Sequence, residues 1–530
     1  MKRGFVVKGA AVFDGTGAEP SIVDVGVVGD RIVAVGACDD RSLLAIDGAG
    51  LFLAPGFIDC HCHDDLAMLR EPDRIEKIAQ GVTTVIVGNC GFSLFPCNDS
   101  FRESLVEHAG SLLGSLGPTE VFECFDDYRR NLGEHGIGIN VASLVGHGPL
   151  RLEALGFDSS EARSQEVESM EKRLEAQLQQ GAIGLSLGLV YPPSAYATRL
   201  ELLALCRVAA RCGKPVAAHI RSYEAALLDA THEFLDLLRE SGARGILSHL
   251  QAAGRPNWGM VTRALLELEL ARMDGIDVCF DMYPYLAGSS YALQLLPPSA
   301  LEGGIGALKE RLDSATYRAV LRAKVEQTDV DADGWQSKIS VIGWESVLIA
   351  GTSSQALRDL EGKTLLEASL EASCEPFDVL ERLIRIDNGA TTLVLFQLAE
   401  DDLRAAFTHG LHMVGSDGIP RCGGSPHPRA FGAFPRVLNK IVGDARWISL
   451  PDAIRRMTSE PAMRFGLLDR GRIRPEAFAD MVLFEPGFSD QATYEHSTQL
   501  ATGAQYVWVN GKAVWAEGRS TGVRAGRVLA

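Results

Sequence analysis

Long hydrophobic runs are missing from this chain of 530 residues. No stretch approaches the roughly 18 consecutive apolar residues of a membrane-spanning helix. The N-terminus runs straight into a strand-like pattern from Phe5, without the apolar region of an export signal. Positive charge is also short. Lys and Arg number 51 against 69 Asp and Glu, a net charge of −18. That balance argues against nucleic acid or an anionic membrane as partner. It leaves open a small substrate in a metal-lined pocket, where the local field dominates. Disulfide-like spacing is absent too, since eleven cysteines, an odd number, are scattered along the chain. With no export signal, this points to reduced thiols in the cytoplasm. There is no low-complexity segment and no sequence-level repeat. What is there is a globular composition, 46% hydrophobic and 23% charged with 55 glycines, on a chain long enough for a large core and more than one domain.

Both ends of the chain read as β-structure. Residues 23–28 and 31–35 flank Gly29-Asp30, and residues 505–509 and 512–515 flank Asn510-Gly511, a strong type I′ hairpin signal. Trp508 and Trp515 fall in these strands as core residues. Neither end has enough strands to stand alone. Residues 1–54 and 466–530 are therefore expected to pair into one small β-sandwich. Between them, at 55–465, short apolar runs recur at 57–59, 84–87, 139–145, 183–189, 215–219, 245–249, 277–283 and 411–415. Helical periodicity separates them, at 160–180, 200–212, 225–241 and 261–272. Eight β/α repeats predict an α/β architecture of the (β/α)₈ barrel type. The spacing breaks between Tyr285 and Leu411. That gap predicts an insertion after the seventh strand at about 288–350, with helices around 308–327 and a strand at 338–344.

In such a barrel the functional groups stand at the C-terminal ends of the strands. The first strand ends in His61 and His63, which two-residue periodicity aims at the same face. The following strands end in Cys90, His147, Tyr191, His219, His249, Asp281 with Tyr283, and Asp417. Each alone has a plain structural reading: a satisfied buried histidine, a packed cysteine, a turn aspartate before glycine. Together His61, His63, Cys90, His219, His249 and Asp417 supply N, S and O ligands suited to zinc. Cys60 and Cys62 are expected to pack in the core.

The chain resembles the amidohydrolase superfamily, and within it the N-acyl-D-amino-acid deacylases (D-aminoacylases). The resemblance rests on Pro-Gly-Phe-Ile-Asp-x-His-x-His-Asp-Asp at 55–65, Gly-Asn-Cys-Gly at 88–91, Tyr-Pro-Pro at 191–193 and His-Ile-Arg at 219–221. It continues through Ser248-His249-Leu250, Ala-Gly-Arg-Pro-Asn-Trp-Gly at 253–259, Asp-x-Tyr-Pro-Tyr at 281–285, Gly-Ser-Asp-Gly at 415–418, His-Pro-Arg at 427–429 and Phe-Pro-Arg-Val-Leu at 434–438. The ordered set spans nearly the whole chain. It implies one tightly bound Zn²⁺ on Cys90, His219 and His249, with room for a second ion on His61 and His63 bridged by Cys90. The carboxylated strand-four lysine of many amidohydrolases has no counterpart at 182–191. The resemblance implies Asp417 as general base and then acid, with Tyr191 or His147 helping to hold an oxyanion. The relatives' lysine after the strand-six histidine is Gln251 here. The substrate carboxylate is then left to Tyr191, Gln251, Arg221, Arg255 or Arg429, with Tyr283, Ser289 and Ser290 as pocket residues.

The expected activity is zinc-dependent hydrolysis of an N-acyl-D-amino acid. Open alternatives are another metal-dependent hydrolase of a cyclic amide, a dipeptide or a non-amino-acid amide, and a non-catalytic barrel. The expected partner is a small-molecule amide, and a homo-oligomer is compatible with the sequence. Asp417→Asn is expected to keep the metal while turnover falls by at least about 100-fold. Near-full activity in that variant, measured alongside its zinc content, would refute the assignment.

Overall fold

The computed structural model describes residues 4–331, 334–420 and 424–530. The chain begins with β1 (Gly4–Val12), β2 (Ser21–Val28), β3 (Arg31–Gly36), β4 (Leu44–Asp47) and β5 (Phe52–Pro55). Short buried strands follow: β6 (Phe57–Asp59), β7 (Val82–Val87), β8 (Asn140–Ser143), β9 (Val145–Gly146), β10 (Leu185–Gly188), β11 (Val216–His219), β12 (Gly245–Leu247) and β13 (Val278–Met282). Next come β14 (Ala287–Tyr291), β15 (Val347–Gly351), β16 (Thr392–Phe396) and β17 (His412–Val414). The chain closes with β18 (Met481–Ser489), β19 (Thr502–Val509), β20 (Lys512–Ala516) and β21 (Arg519–Ser520).

The two ends share one nine-stranded sheet, ordered β21-β20-β19-β18-β5-β1-β2-β3 with β4 beside β1. The join is the antiparallel pairing of β5 with β18, from Pro55 opposite Met481 to Phe52 opposite Phe484. Asn510 and Gly511 both have positive φ, 48° and 75°, as a type I′ turn requires. Alternate residues of β1 serve opposite faces. Phe5 and Val7 enter a core with Val25, Val27, Leu53, Leu483 and Trp508, whereas Val6 packs on Cys38 and Leu43. Phe5 stacks on Trp508 at 4.9 Å, so residues from opposite ends of the chain meet in that core.

The middle strands are parallel. They form one sheet ordered β6-β7-β8 and another ordered β9-β10-β11-β12-β13-β17. Only Leu144 separates β8 from β9. The Leu144 N–H donates to the Val87 carbonyl and the Val145 N–H to the Gly184 carbonyl, so this segment belongs to both sheets. At the far side, Asp417 N–H donates to His61 O (2.7 Å) and His63 N–H to Gly418 O (2.9 Å). These bonds tie the chain after β6 to the chain after β17. Ile58, Ile86, Ala142, Ile183, Ala217, Ile246, Cys279 and Met413 form a common core to which each parallel run contributes. Helices Ser164–Gln180, Arg199–Arg211, Leu227–Ser241 and Met260–Met273 stand between successive strands, as their periodicity predicts.

Between β13 and β17 the chain makes a separate antiparallel sheet, β14-β16-β15, with helices Gly304–Leu312, Ala315–Glu326, Leu365–Ala372 and Pro376–Asp387 around it. The strand expected at 338–344 is instead the helix Lys338–Ile342. Ser337 Oγ caps it by accepting the Ser340 N–H. Ile339 and Val341 alternate as in a strand, yet both are buried from the helix. No helix among the described residues is long and apolar enough to cross a membrane. The described cysteines are all free thiols.

Removing the Trp508 side chain empties the core that joins the two ends. Trp508→Ala is expected to cost about 3–5 kcal/mol of unfolding free energy, read by urea denaturation. A loss below about 1 kcal/mol would contradict the joint core.

Candidate metal centre and active site

The site gathers where the parallel strands end. His61 and His63 follow β6, Cys90 follows β7, His219 closes β11, His249 follows β12 and Asp417 follows β17. Ligand atoms of His61, His63, Cys90 and Asp417 lie within 4.8 Å of one another, as do those of Cys90, His219 and His249. Cys90 belongs to both groups. Its Sγ stands 3.3 Å from His61 Nε2 and 3.5 Å from His249 Nε2. Asp417 Oδ1 lies 3.2 Å from His63 Nε2 and 3.4 Å from His61 Nε2. All six side chains are buried.

The backbone is bent to make this possible. Cys90, His249 and Asp417 have φ of 53°, 35° and 48°, a left-handed conformation that non-glycine residues adopt rarely. Glycines on either side of Cys90 permit its loop. A Cβ on Gly88 would stand 2.3 Å from the Leu144 carbonyl oxygen, and one on Gly91 would stand 2.8 Å from the Gly188 nitrogen.

Burial alone would raise the Cys90 thiol, but the imidazoles of His61 and His249 outweigh it and hold it well below its ordinary range. Burial likewise pushes Asp417 up, while Arg429, His249 and His63 pull it well below the usual carboxylate range. His219 is lowered to about 4, first by burial and then by His249. These shifts favour the thiolate of Cys90, the ionised form of Asp417 and the neutral form of His219. Neither ring nitrogen of His219 has a hydrogen-bond partner, and His249 Nδ1 is likewise orphaned. Two imidazoles and a thiolate converging with unused lone pairs fit the three-ligand set of a catalytic zinc, which keeps one position open.

Residues outside the ligand set hold it in place. Asp281, on β13, sits 3.1 Å from His61 Nδ1 and accepts the His249 N–H at 2.9 Å. Lys77 Nζ donates to Asp59 Oδ2 at 2.6 Å and lies 3.2 Å from Asp64 Oδ2, all three buried. Asp59 also accepts the Ser416 N–H (2.8 Å) and hydroxyl (2.6 Å), immediately before Asp417. Asp281 stood in view at the end of the seventh strand. Asp59 lies within the motif at 55–65, whereas Lys77 belongs to none of the motifs.

The expected substrate residues divide. Tyr191, Gln251, Tyr283 and Ser289 line a small cavity, about 30 Å³, with His63, Cys90, His219, His249 and Asp417. The Tyr191 ring packs against His219 at 4.8 Å. Tyr283 OH donates to Gln251 Oε1 at 3.0 Å. Arg429 stands behind the wall, paired with Asp417 Oδ2 at 2.8 Å, over the Tyr283 ring and donating to the Ser289 carbonyl. Arg221 is not brought to this cavity. It pairs with Glu233 at 2.9 Å, donates to the Ala195 and Ala197 carbonyls, and lines a larger neighbouring cavity. His147 is turned to Glu201 at 2.8 Å, beside Arg151, away from the metal ligands. Arg255 is exposed over Trp258. Ser290 is buried beside the cavity without lining it. Lys338, unremarked in the sequence, lines both cavities.

A model of the amidohydrolase family matches residues 349–515. The D-aminoacylase of Alcaligenes xylosoxydans xylosoxydans is 34% identical over 530 residues, 99% of this chain and 97% of the relative. An N-acyl-D-glutamate deacylase from the same organism is 35% identical over 533 residues, 100% of this chain and 96% of the relative. The crystal structure of N-acyl-D-glutamate deacylase from Bordetella bronchiseptica, complexed with zinc and a phosphonate inhibitor that mimics the tetrahedral intermediate, superposes with a TM-score of 0.84. It is 32% identical, with both chains covered completely. The class this fold and site define is the amidohydrolases. Within that class, the chain belongs to the N-acyl-D-amino-acid deacylase family.

Lys77→Met would leave the buried Asp59 carboxylate without its cation, while Asp64 keeps Arg74 at 2.5 Å. The expected loss is about 3–5 kcal/mol of unfolding free energy, with lowered zinc retention, measured by denaturant titration and metal analysis. A variant within about 1 kcal/mol of the parent would show that the network holds little.

Proposed function

We propose that the protein hydrolyses the amide bond of N-acyl-D-amino acids, giving a carboxylate and a D-amino acid, with zinc as cofactor. The observation that carries this reading is the meeting of Cys90, His219 and His249 with Asp417 in one buried pocket. The relatives' activities, and the zinc and intermediate mimic in the Bordetella enzyme, support it.

Cys90, His219 and His249 would hold the tight zinc, and His61 and His63, with the Cys90 sulfur, a second ion. Bound there, zinc makes water nucleophilic near neutral pH and polarises an amide carbonyl. Asp417, ionised and 3.2 Å from His63, accepts the proton of the attacking water and returns it to the nitrogen of the leaving amine. The water oxygen stays on the acyl carbon and the D-amino acid leaves with its amino group restored. Arg429 keeps Asp417 oriented, Asp281 keeps His61 oriented, and the Tyr191 hydroxyl is a donor for the oxyanion. Gln251, Tyr283 and Ser289 bind the rest of the substrate nearest the metal.

The parallel strands are read as a closed (β/α)₈ barrel, spanning 55–465. Their shared core, the bridging segment at Leu144 and the bonds between the ends of β6 and β17 support closure. The terminal segments 1–54 and 466–530 form its companion β-sandwich, made from one curled sheet. The insertion expected at about 288–350 is read as extending through β16. Free thiols fit a cytoplasmic protein.

The test is a hydrolysis screen of N-acyl-D- and N-acyl-L-amino acids and cyclic amides, before chelation, after it, and after zinc is restored. Activity on D-substrates that chelation abolishes and zinc restores is expected. Activity confined to L-substrates or cyclic amides would overturn the reading.

A further inference from the structure

The metal pocket has room for about two waters, too little for an N-acyl amino acid. Most of the substrate must therefore lie beyond it. The neighbouring cavity is about 620 Å³ and carries apolar walls from Leu189, Val190, Tyr196, Leu296, Pro297 and Trp335. Lys338 and Gln294 line both spaces, so they form the threshold between them.

Among the described residues, Lys338 is the one Lys or Arg on the wall of the metal pocket. Its ammonium pairs with Glu224, and both side chains are nearly buried. Glu224 is itself anchored by the Tyr223 N–H and the Ser222 hydroxyl, each at 3.2 Å. One of the three ammonium donors is thus held by a fixed carboxylate, and two remain for a ligand. The outer cavity is acidic, lined by Asp229, Glu233 and Glu302, and its Arg221 is engaged by Glu233 and two carbonyls. Gln251, on the inner wall, supplies no charge. A carboxylate entering from outside therefore meets its first cation on that wall at Lys338.

We infer that Lys338 binds the carboxylate of the substrate at this threshold and selects anionic N-acyl amino acids over neutral ones. The inference rests on the deacylase reading and names a residue delivered by the insertion, since Lys338 opens its short helix.

The test uses the zinc-loaded full chain and compares an N-acyl-D-amino acid with its neutral α-carboxamide, following release of the acyl group's carboxylate. Lys338→Met is expected to raise KM for the acid by about 10- to 100-fold, with zinc content and the constants for the carboxamide little changed. Lys338→Arg should retain most of the preference for the acid. Glu224→Gln, which removes the carboxylate that competes for the ammonium, should change KM for the acid and leave the constants for the carboxamide unchanged. Equal losses on both substrates, or an unchanged KM for the acid in Lys338→Met, would overturn the assignment and leave the deacylase reading standing. A parental chain that hydrolyses neither compound would overturn both.

Discussion

The site depends on the buried carboxylate of Asp59. It ends β6, and in one place it accepts the ammonium of Lys77, the hydroxyl of Ser416 and the Ser416 N–H. Those bonds join the first of the parallel strands to the last. Their consequence is chemical: His61 and His63 leave one side of the junction and Asp417 the other, and the three side chains converge. Burying Asp59 and Lys77 costs solvation that their attraction offsets only if the geometry is good and the remaining atoms are bonded. Here each oxygen of Asp59 has a partner. The return is position, with the Asp417 carboxylate held next to His61 and His63 by two backbone bonds, Asp417 N–H to His61 O and His63 N–H to Gly418 O.

Strain completes what the junction begins. Cys90, His249 and Asp417 each adopt a left-handed backbone, a cost on the order of 1–3 kcal/mol apiece. These are the cysteine shared by both candidate metal groups, one histidine of the Cys90, His219 and His249 group, and the carboxylate proposed as proton acceptor. The turns swing side chains from strand ends into the mouth, where an extended strand would point them along the wall. The cost is met by surroundings that allow no alternative. Asp281 pins the His249 N–H, the Asp59 network pins Ser416, and glycines at 88 and 91 let the Cys90 loop lie against Leu144 and Gly188.

Much of this is legible in the sequence. Short buried parallel strands read as continuous apolar runs, and each of the eight middle runs became a strand. Asn510-Gly511 announced its hairpin because few residue pairs tolerate two positive φ angles. What escaped was the direction of side chains and the identity of distant partners. Arg221 and His147 stand at strand ends, as ligands would, but Glu233 and Glu201 claim them from 12 and 54 residues away. The segment at 338–344 begins as a helix although its alternating apolar residues fit a strand, because the cap that starts it, Ser337, lies one residue outside it. Lys77 was hidden because a lysine in a helical stretch ordinarily faces water. Nothing local says that two aspartates wait for it in the interior.

The two layers of the pocket have different physical origins. The metal ligands and Asp417 come from parallel strands whose backbone bonds leave them little freedom. The opposite wall comes largely from the insertion: Gly288 and Ser289 on β14, Leu395 on β16, Gln397 just after it, and Lys338 on the short helix. That wall meets the segments after β11 and β12 through side-chain contacts, Lys338 with Glu224 and Gln397 with Gln251, and through the backbone bond from Gly254 N–H to Gln397 O. On the proposed reading, bond cleavage belongs to the layer at the strand ends and choice of substrate to the layer added between β13 and β17.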